Sequence, residues 1–534
     1  MATITWHESI PLSATHRFTP LVNDYVARAE HLREWVSDFP SPEAMEEAIK
    51  RKEGQAVPRS VLVNVLRNQY ANLPIQQAVH ANIDALLYEN TFSVCTAHQP
   101  LLFTGPLYFV YKTAHAIALA SSLSKQFPDK HFVPVFYLGS EDHDLDEIGH
   151  CFVEDENLVW FAEQQGACGR MTTMGMQEVV QEYSKYWNEQ VPCEKAWVAI
   201  LREAYNGKHT LAEATRILLH HLFGAKGLVV LDADDATLKQ CFISVMAEEL
   251  FGTPSELRLK ASMAALESKY TLQAKPRSIN LFYLCNEGRF RIEKNETAWI
   301  AVGSDFTWNE ADLRNELHHH PERFSPNVIL RPLYQETILP NVAFIGGGGE
   351  LAYWLPLKAN FDFFNVAFPI LFLRNSLLYI SASQKKSLNK KKISNIDLFL
   401  TPDAWFQQQT ADSPWLQQWQ QTEQHIQNAL INYHKESNAL SADYQETITA
   451  HQAKINRILE RITQKTKAHI KRHNNEVWDG FVSMQNKLFP KGNLQERYEH
   501  GVLLMKYLGE DWLDVLLAVQ DPYSEAFTVF GETV

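Results

Sequence analysis

Cysteine is scarce in this chain. Its 534 residues hold six, Cys95, Cys151, Cys168, Cys193, Cys241 and Cys285, with no C-x-x-C pair, which excludes a disulfide framework and a zinc knuckle as organising devices. Long apolar runs are missing too: the longest candidate, Val366 to Ile380, is broken by Arg374-Asn375-Ser376 and falls short of the ~20 residues a membrane helix needs. The stretch Met1-Ala2-Thr3-Ile4-Thr5-Trp6-His7-Glu8 has no basic segment ahead of an apolar core, so no secretory leader is expected and the cytoplasm is the expected compartment. Positive charge is in deficit. The 49 Lys and Arg against 63 Asp and Glu leave a formal net charge of −14, which argues against duplex nucleic acid as the main ligand because phosphate binding needs a basic face.

What is present is an ordinary globular composition, 45% hydrophobic and 21% charged, in a chain long enough for more than one domain. Residues 20 to 90 carry helical spacing: Leu21, Val22, Tyr25, Val26 and Ala29, then Ile83, Leu86 and Leu87. The strand-like run Thr91–Ala97 then ends on His98-Gln99-Pro100. After Phe103-Thr104-Gly105-Pro106 comes an apolar helical stretch to about Ala120, and a second run, Phe132 to Gly139, ends on Ser140-Glu141-Asp142-His143-Asp144. Strand, helix and strand of these lengths predict a β-α-β unit in a parallel sheet, with both polar clusters at the carboxyl ends where ligands bind. Gly227 to Asp235 reads as a further buried strand ending in carboxylates, and Asn327–Pro332 and Val342–Ile345 as two more. The last of these runs into Gly346-Gly347-Gly348-Gly349-Glu350 and a helix carrying Leu351, Trp354, Leu355 and Leu357, the order expected where backbone approaches a phosphate, ribose or other bulky group.

Two irregular segments, near 152–220 and 258–325, read as insertions in a core spanning 1–384. From 385 to 485 the composition turns polar and helical. Tyr444, Ile448, Ile455, Ile458 and Ile462 sit on a seven-residue grid with His451 and His469, and upstream Trp419, Ile426 and Tyr433 are seven apart. Ser437-Asn438 supplies a turn, so a helical hairpin or coiled-coil arm is predicted. Residues 486–534 are expected to return to the core.

Several groups invite chemistry, each with a plainer alternative. Pro106 suits the first position of a helix whose free N–H groups favour an anion beside His98 and Gln99, although His98 capping a turn fits the same spacing. Glu141, Asp142, His143 and Asp144 can transfer protons, orient an amine or hold Mg²⁺, or can simply favour a helix dipole. His143 and His150 match no zinc spacing, and the His318-His319-His320 run reads as an exposed loop rather than a metal site. Arg331, at a predicted strand end, can clamp a carboxylate or phosphate. The lysines Lys385, Lys386 and Lys390 to Lys392 read as a solvated face.

Thr96-Ala97-His98-Gln99 leading to Phe103–Tyr108 and Lys112, then Pro134–Phe136 to Glu141–Asp144, Glu147 and Ile148, resembles the bacillithiol-biosynthesis cysteine ligase family. So do Arg331-Pro332 with Gln335, Gly346-Gly347 with Glu350, Tyr353 and Trp354, and Asn493 with Gln495-Glu496-Arg497. The resemblance runs in order along nearly the whole chain. It implies an α/β, Rossmann-like core with two connecting-peptide insertions and an α-helical coiled-coil domain that joins two subunits. It also implies the last step of bacillithiol synthesis, in which cysteine is joined to glucosaminyl malate. Many members carry Gly-Gln-Gln where this chain has Ala97-His98-Gln99, which brings the loop closer to the His-rich nucleotide loop of class I aminoacyl-tRNA synthetases.

A carboxylate is a poor acyl donor, so ATP is expected to activate cysteine, with Mg²⁺ as a companion ion and no protein-held metal. Strand-end placement and chemical type suggest catalytic roles for His98, Asp142 and His143, the latter two receiving the amine proton. The resemblance implies binding roles for Gln99, Thr104, Gly105, Glu141, Asp144, Arg331, Gln335, Gly346, Gly347, Glu350, Tyr353, Trp354, Asn493, Gln495 and Arg497. Activation as an adenylate or as an acyl phosphate stays open. A non-catalytic nucleotide- or thiol-binding scaffold is the alternative from another class, and a degenerate synthetase-like protein is disfavoured by the acidic charge and the absence of a K-M-S-K-S stretch.

Overall fold

Five short runs rich in Val, Ile, Leu and Phe are apolar on both faces, which suits a parallel sheet covered by helices on either side. They form the strands β1 (Thr91–His98), β2 (His131–Leu138), β3 (Val229–Asp232), β4 (Asn341–Gly346) and β5 (Ile370–Leu373). All pair in parallel in the order 3-2-1-4-5. This doubly wound order reverses between β1 and β4, and the crevice at that switch point opens beyond the carboxyl ends of the strands. The computed structural model describes residues 4–154, 156–437 and 442–532; the start of the expected leader-free terminus (residues 1–3) and the predicted turn residue Asn438 lie outside the described residues.

The chain divides into two units, residues 1–379 with 493–533, and residues 380–492. The junctions therefore fall near 380 and 493 rather than at 384 and 485. The last long helix, Asn475–Leu488, belongs to the helical unit because its Phe481 stacks on Trp405 at 4.2 Å.

Within the first unit the crossover helix Leu107–Gln126 buries one residue after another between sheet and surrounding helices. Pro106 is its N-cap rather than its first helical residue, and the Leu107 N–H is not free: it donates to the Glu499 carbonyl at 2.7 Å. The stretch from Asn327 to Pro332 is not a strand. A short strand ends at Pro326, Asn327 Oδ1 accepts from the Ile329 N–H at 2.9 Å, and Arg331–Ile338 is a helix with Pro332 in its first turn. Proline has no N–H for a sheet ladder but fits a helix start, which is why the apolar run turns.

The first insertion holds the hairpin His150–Val153 with Glu156–Val159 and the helices Met176–Ser184, Pro192–Ala204 and Leu211–Phe223. The second is a five-stranded antiparallel sheet that includes Leu281–Cys285, Gly288–Lys294 and Phe324–Pro326. His318 and His319 sit in the last turn of the helix Glu310–His319 rather than in a loop.

The C-terminal segment closes this unit. Ala526–Glu532 pairs antiparallel with Ile4–Pro11, and Gln495 brackets one residue of the neighbouring strand Ser376–Ile380, accepting from the Tyr379 N–H at 3.0 Å and donating to its carbonyl at 3.2 Å. Glu496, fully buried, receives Arg374 Nη2 at 2.7 Å and the Leu377 N–H at 3.1 Å.

In the second unit the helices Pro414–Ser437 and Ala442–His473 form a hairpin, tied by Trp419 Nε1 donating to Thr463 Oγ1 at 2.7 Å and by a Tyr433–Tyr444 hydroxyl pair at 2.8 Å. The half-buried Ile448 and Ile455 lie on its seam, but the seam then passes to Leu459 and Ile470, leaving Ile462 37% exposed. A strict seven-residue grid drifts around a straight helix by ~20° per heptad, so the third isoleucine leaves the contact.

Replacing one partner of the Arg374–Glu496 pair leaves an uncompensated buried charge. Glu496→Ala is expected to cost roughly 3–5 kcal/mol, read as a lower urea midpoint; an unchanged midpoint would show that the returning segment does not hold the core.

Candidate active site at the switch point

Beyond the ends of β1 and β2 lies a cavity of about 520 Å³ lined by His98, Gln99, Glu141, Asp142, Arg331, Glu350 and Tyr353, together with Phe282 and Arg289 from the second insertion. The size is that of a small-molecule site. β1 and β2 end side by side, the Gly139 N–H donating to the His98 carbonyl at 2.8 Å, and from there the chain turns into the acidic loop. Gln99 spans the two strand ends: its Nε2 donates to Asp142 Oδ2 at 3.0 Å and to Glu147 Oε2 at 3.2 Å.

His98 contacts the Tyr108 hydroxyl through Nε2 at 3.2 Å. Burial, with the nearby charges of Lys112 and Arg374, holds its imidazole well below the usual histidine range, so it is neutral. Lys112 itself is buried, donating to the Ala97 carbonyl at 2.5 Å and to Glu350 Oε2 at 2.9 Å.

Asp142 is the opposite case. Burial works against its charge, but the Gln99 amide, the Arg289 guanidinium and the His143 N–H at 2.8 Å together keep the carboxyl below the ordinary range. The Arg289 guanidinium carbon sits over the Phe282 ring, 4.1 Å from its centre, with Nη1 3.7 Å from Asp142 Oδ1. The same nitrogen is 3.3 Å from His143 Nδ1. His143 Nδ1 is also 3.5 Å from Asp142 Oδ1, so one ring nitrogen faces both a donor and a carboxylate.

Beneath the crevice the carboxylates at the end of β3 form a buried floor. Arg170 grips Asp234 with two bonds, at 2.6 and 2.7 Å, and Lys239 pairs with both Asp234 and Glu141. Glu141 is thus engaged from below, and burial raises its carboxyl despite Lys239. Ser140 Oγ donates to Asp232 Oδ1 at 2.5 Å, and burial followed by the charge of Asp234 pushes Asp232 up to about 6.

Arg331 projects into the crevice from its helix start, Nη1 donating to Gln335 Oε1 at 3.0 Å and Nη2 to the Tyr353 hydroxyl at 3.2 Å. Gln335 is wholly buried and donates onward to Glu336 Oε1 at 2.8 Å, so it aims Arg331 instead of touching a ligand.

The glycine run has another reason than the expected close approach of a ligand. Gly347 has φ −81°, and a Cβ there would sit 3.5 Å from Arg374 Nε, an ordinary contact. At Gly348 a Cβ would come within 2.6 Å of Val22 Cγ2, so that glycine serves helix packing. The Gly347 N–H already donates to Glu350 Oε2 at 2.8 Å. An internal carboxylate, steadied by Lys112, thus holds the helix start where a phosphate was expected.

Other predicted binding residues lie outside the cavity lining. Thr104 and Gly105 pack under the C-terminal segment, the Gly105 carbonyl accepting from Gly501 N–H at 2.6 Å. Gly346 is buried, its carbonyl accepting from the Arg374 N–H at 2.7 Å. Trp354 is core, stacked on Phe344 at 4.3 Å, and Asp144 caps the short helix Leu145–Ile148. Gln495 is the strand clamp described above, while Asn493 and Arg497 are exposed beside it. Conversely, Arg289 escaped the sequence reading. Its one signal was alternation: Arg289, Arg291 and Glu293 share a face of Gly288–Lys294, opposite Phe290 and Ile292. Among the described residues no group of three or more His, Cys, Asp or Glu is arranged to hold a metal ion.

Because Asp232 titrates higher folded than unfolded, folding binds its proton between about pH 4 and 6, and the wild type loses stability as pH rises through that window. Asp232→Asn removes the term. Its melting temperature should exceed that of the wild type at pH 8, by the equivalent of roughly 2–3 kcal/mol, and match it near pH 4; the reverse order would mean that Asp232 is favoured as the anion.

Comparison with known proteins accounts for the whole architecture. The profile for the bacillithiol biosynthesis BshC N-terminal Rossmann-like domain matches residues 6–375, and that for the C-terminal coiled-coil domain matches residues 377–532. A Cytophaga hutchinsonii protein named "Putative cysteine ligase BshC" is 37% identical over 496 residues, 92% of each chain. One of the same name from Flavobacterium psychrophilum is 34% identical over 516 residues, 96% of this chain and 97% of its own. A solved structure titled as a "putative arginyl t-RNA synthetase" from Campylobacter jejuni covers 81% of this chain and 92% of its own at 12% identity, with a TM-score of 0.22, too low to establish a shared fold. With both domains matched in order and relatives aligned over more than nine-tenths of its length, the chain belongs to the bacillithiol-biosynthesis BshC family.

Proposed function

We propose that this protein is a ligase that forms the amide between the carboxyl group of L-cysteine and the amine of glucosaminyl malate, the last step of bacillithiol biosynthesis. The observation that carries this is the crevice itself: a neutral His98, an ionised Asp142 and an aimed Arg331 line one cavity at the switch point of the sheet, in a chain whose relatives are named as cysteine ligases. ATP, when bound, supplies the activation that a carboxylate needs. The cavity suits it in size, with the cationic Arg277, Arg289 and Arg331 on the walls to hold its phosphates, and Mg²⁺, if it accompanied ATP, would supply further charge neutralisation there. Arg331, held by Gln335 and Tyr353, offers a fixed fork for a malate carboxylate. Asp142 attracts the substrate ammonium, and the main rate gain comes from positioning and charge stabilisation.

Cytoplasmic residence goes with this reading, since reduced thiols persist there, and no described helix is long and apolar enough to cross a membrane. A homodimer through the arm goes with it too, because Ile431, Ile458 and Ile462 remain exposed on the helical hairpin at 44%, 54% and 37%.

The deciding experiment supplies the purified full chain with ATP, Mg²⁺, cysteine and glucosaminyl malate and looks for the amide by mass spectrometry. AMP release would mark adenylate activation, ADP an acyl phosphate. A folded preparation that makes no amide would favour a nucleotide- or thiol-binding scaffold. His98→Ala and Asp142→Asn are expected to lower turnover by about 10²-fold or more with little change in melting temperature, because strand-end loop residues serve ligands more than packing; parallel loss of activity and fold would make them structural. For the arm, Ile458→Asp with Ile462→Asp should shift light scattering from dimer to monomer without unfolding the α/β unit. A monomeric wild type, or a dimer that survives both substitutions, would remove this stripe as the contact.

A further inference from the structure

The ligase reading needs a group to take the proton of the attacking amine, and the two residues nearest in sequence are poorly suited. Asp142 already accepts from Gln99 and the His143 N–H and faces Arg289, while His143 Nδ1 is engaged between that guanidinium at 3.3 Å and Asp142 Oδ1 at 3.5 Å. Glu147 is different. It sits on the short helix Leu145–Ile148 just beyond the acidic cluster, exposed and outside the cavity lining itself, but joined to it through the lining residue Gln99, whose Nε2 is 3.2 Å from Glu147 Oε2. Among the described residues no protein donor reaches its Oε1.

We propose that Glu147 is the general base of the amide-forming step, tied to the ionised Asp142 by the one Gln99 amide that both carboxylates share. The inference rests on the ligase reading and names the residue that reading lacked. The amine lone pair forms the C–N bond to the carbonyl carbon of cysteine activated as a mixed anhydride with phosphate. The bond from that carbon to the phosphate oxygen breaks and the phosphate leaves with the electron pair. The nitrogen's proton passes to Glu147 Oε1 and from there to water, which the exposed position allows.

The charges around the site support this division of labour. Burial, then the charges of Asp142 and Asp144, raise the Glu147 carboxyl, with the Gln99 amide and His150 opposing, and Tyr108 facing it from the crossover helix. Asp142 is shifted the other way. Two neighbouring carboxylates pushed apart in this manner are the usual signature of an anion that orients and a partner that exchanges protons.

The test uses the full chain with ATP, cysteine and glucosaminyl malate. Glu147→Gln should lower kcat about 10²-fold or more, change KM for the amine less than about threefold, and abolish the acid limb of the kcat–pH profile; Glu147→Asp should restore part of the rate. A Glu147→Gln enzyme with the kcat and acid limb of the wild type would overturn the assignment. Independently of turnover, carboxyl carbons labelled with ¹³C and assigned with Glu147→Gln and Asp142→Asn should show Glu147 titrating above Asp142. Titration in the opposite order would overturn it as well. If the wild type makes no amide, the ligase reading fails by itself, and the order of titration still decides whether Glu147 is the proton-exchanging member of the pair.

Discussion

One buried ammonium group holds the switch point together. Lys112, on the crossover helix, reaches the Ala97 carbonyl at the end of β1 and the Glu350 carboxylate beyond β4, and Glu350 in turn accepts from the Gly347 N–H. These bonds tie the two strands between which the sheet reverses, so the crevice has fixed walls before any ligand arrives. A charge pair so nearly excluded from water is worth little as net stability but is very costly to break, which makes it a device for geometry. Burial, and after it the positive charge of Lys112, keep His98 neutral.

Around that anchor the protein sorts its acids by environment rather than by type. Asp142 gathers donors and stays charged, whereas Asp232, Glu141 and Glu147 are pushed toward the protonated form by burial and by other nearby carboxylates, Asp234 for the first two and Asp142 and Asp144 for the third. The cations are similarly committed: Lys239 and Arg170 to the floor, Arg374 to Glu496, Lys112 to Glu350. Arg289 and Arg331 are two of the guanidinium groups that line the cavity, and neutral partners such as Ser325 and Gln335 help to steer them. Arg331 can thus meet an anionic substrate without first breaking an internal ion pair, whereas Arg289 also faces Asp142.

The C-terminal segment shows how a motif can resemble a binding site and serve the scaffold. Gln495 supplies, from its side chain, the two hydrogen bonds that a neighbouring strand would give Tyr379, and Glu496 neutralises Arg374 in a region closed to water. Both are buried, and a polar side chain in that setting must be paired. Their placement therefore follows from satisfying backbone and charge rather than from contact with a ligand.

Much of this was legible in residue order. Periodicity and chain punctuation located β1, β2, β3 and β4, the crossover helix and the helical arm, because a parallel strand must be apolar on both faces and a surface helix on one. The chemical groups at the strand ends, His98, Gln99, Asp142 and Glu350, followed from the rule that ligands bind beyond carboxyl ends. The apolar run at Asn327–Pro332 misled because only its surroundings decide whether a proline closes a strand or opens a helix. Gly347, Thr104, Trp354 and Gln495 lie outside the cavity lining, a placement that residue order does not show because residues that fill space or pair buried backbone share the letters of residues that hold ligands. Which atoms meet across 40 to 150 residues, such as Gln99 with Glu147 or Arg289 with His143, was set by tertiary folding alone. Hydrogen bonds and charge effects act over a few ångströms in space, and the sequence orders residues along the chain, not by that distance.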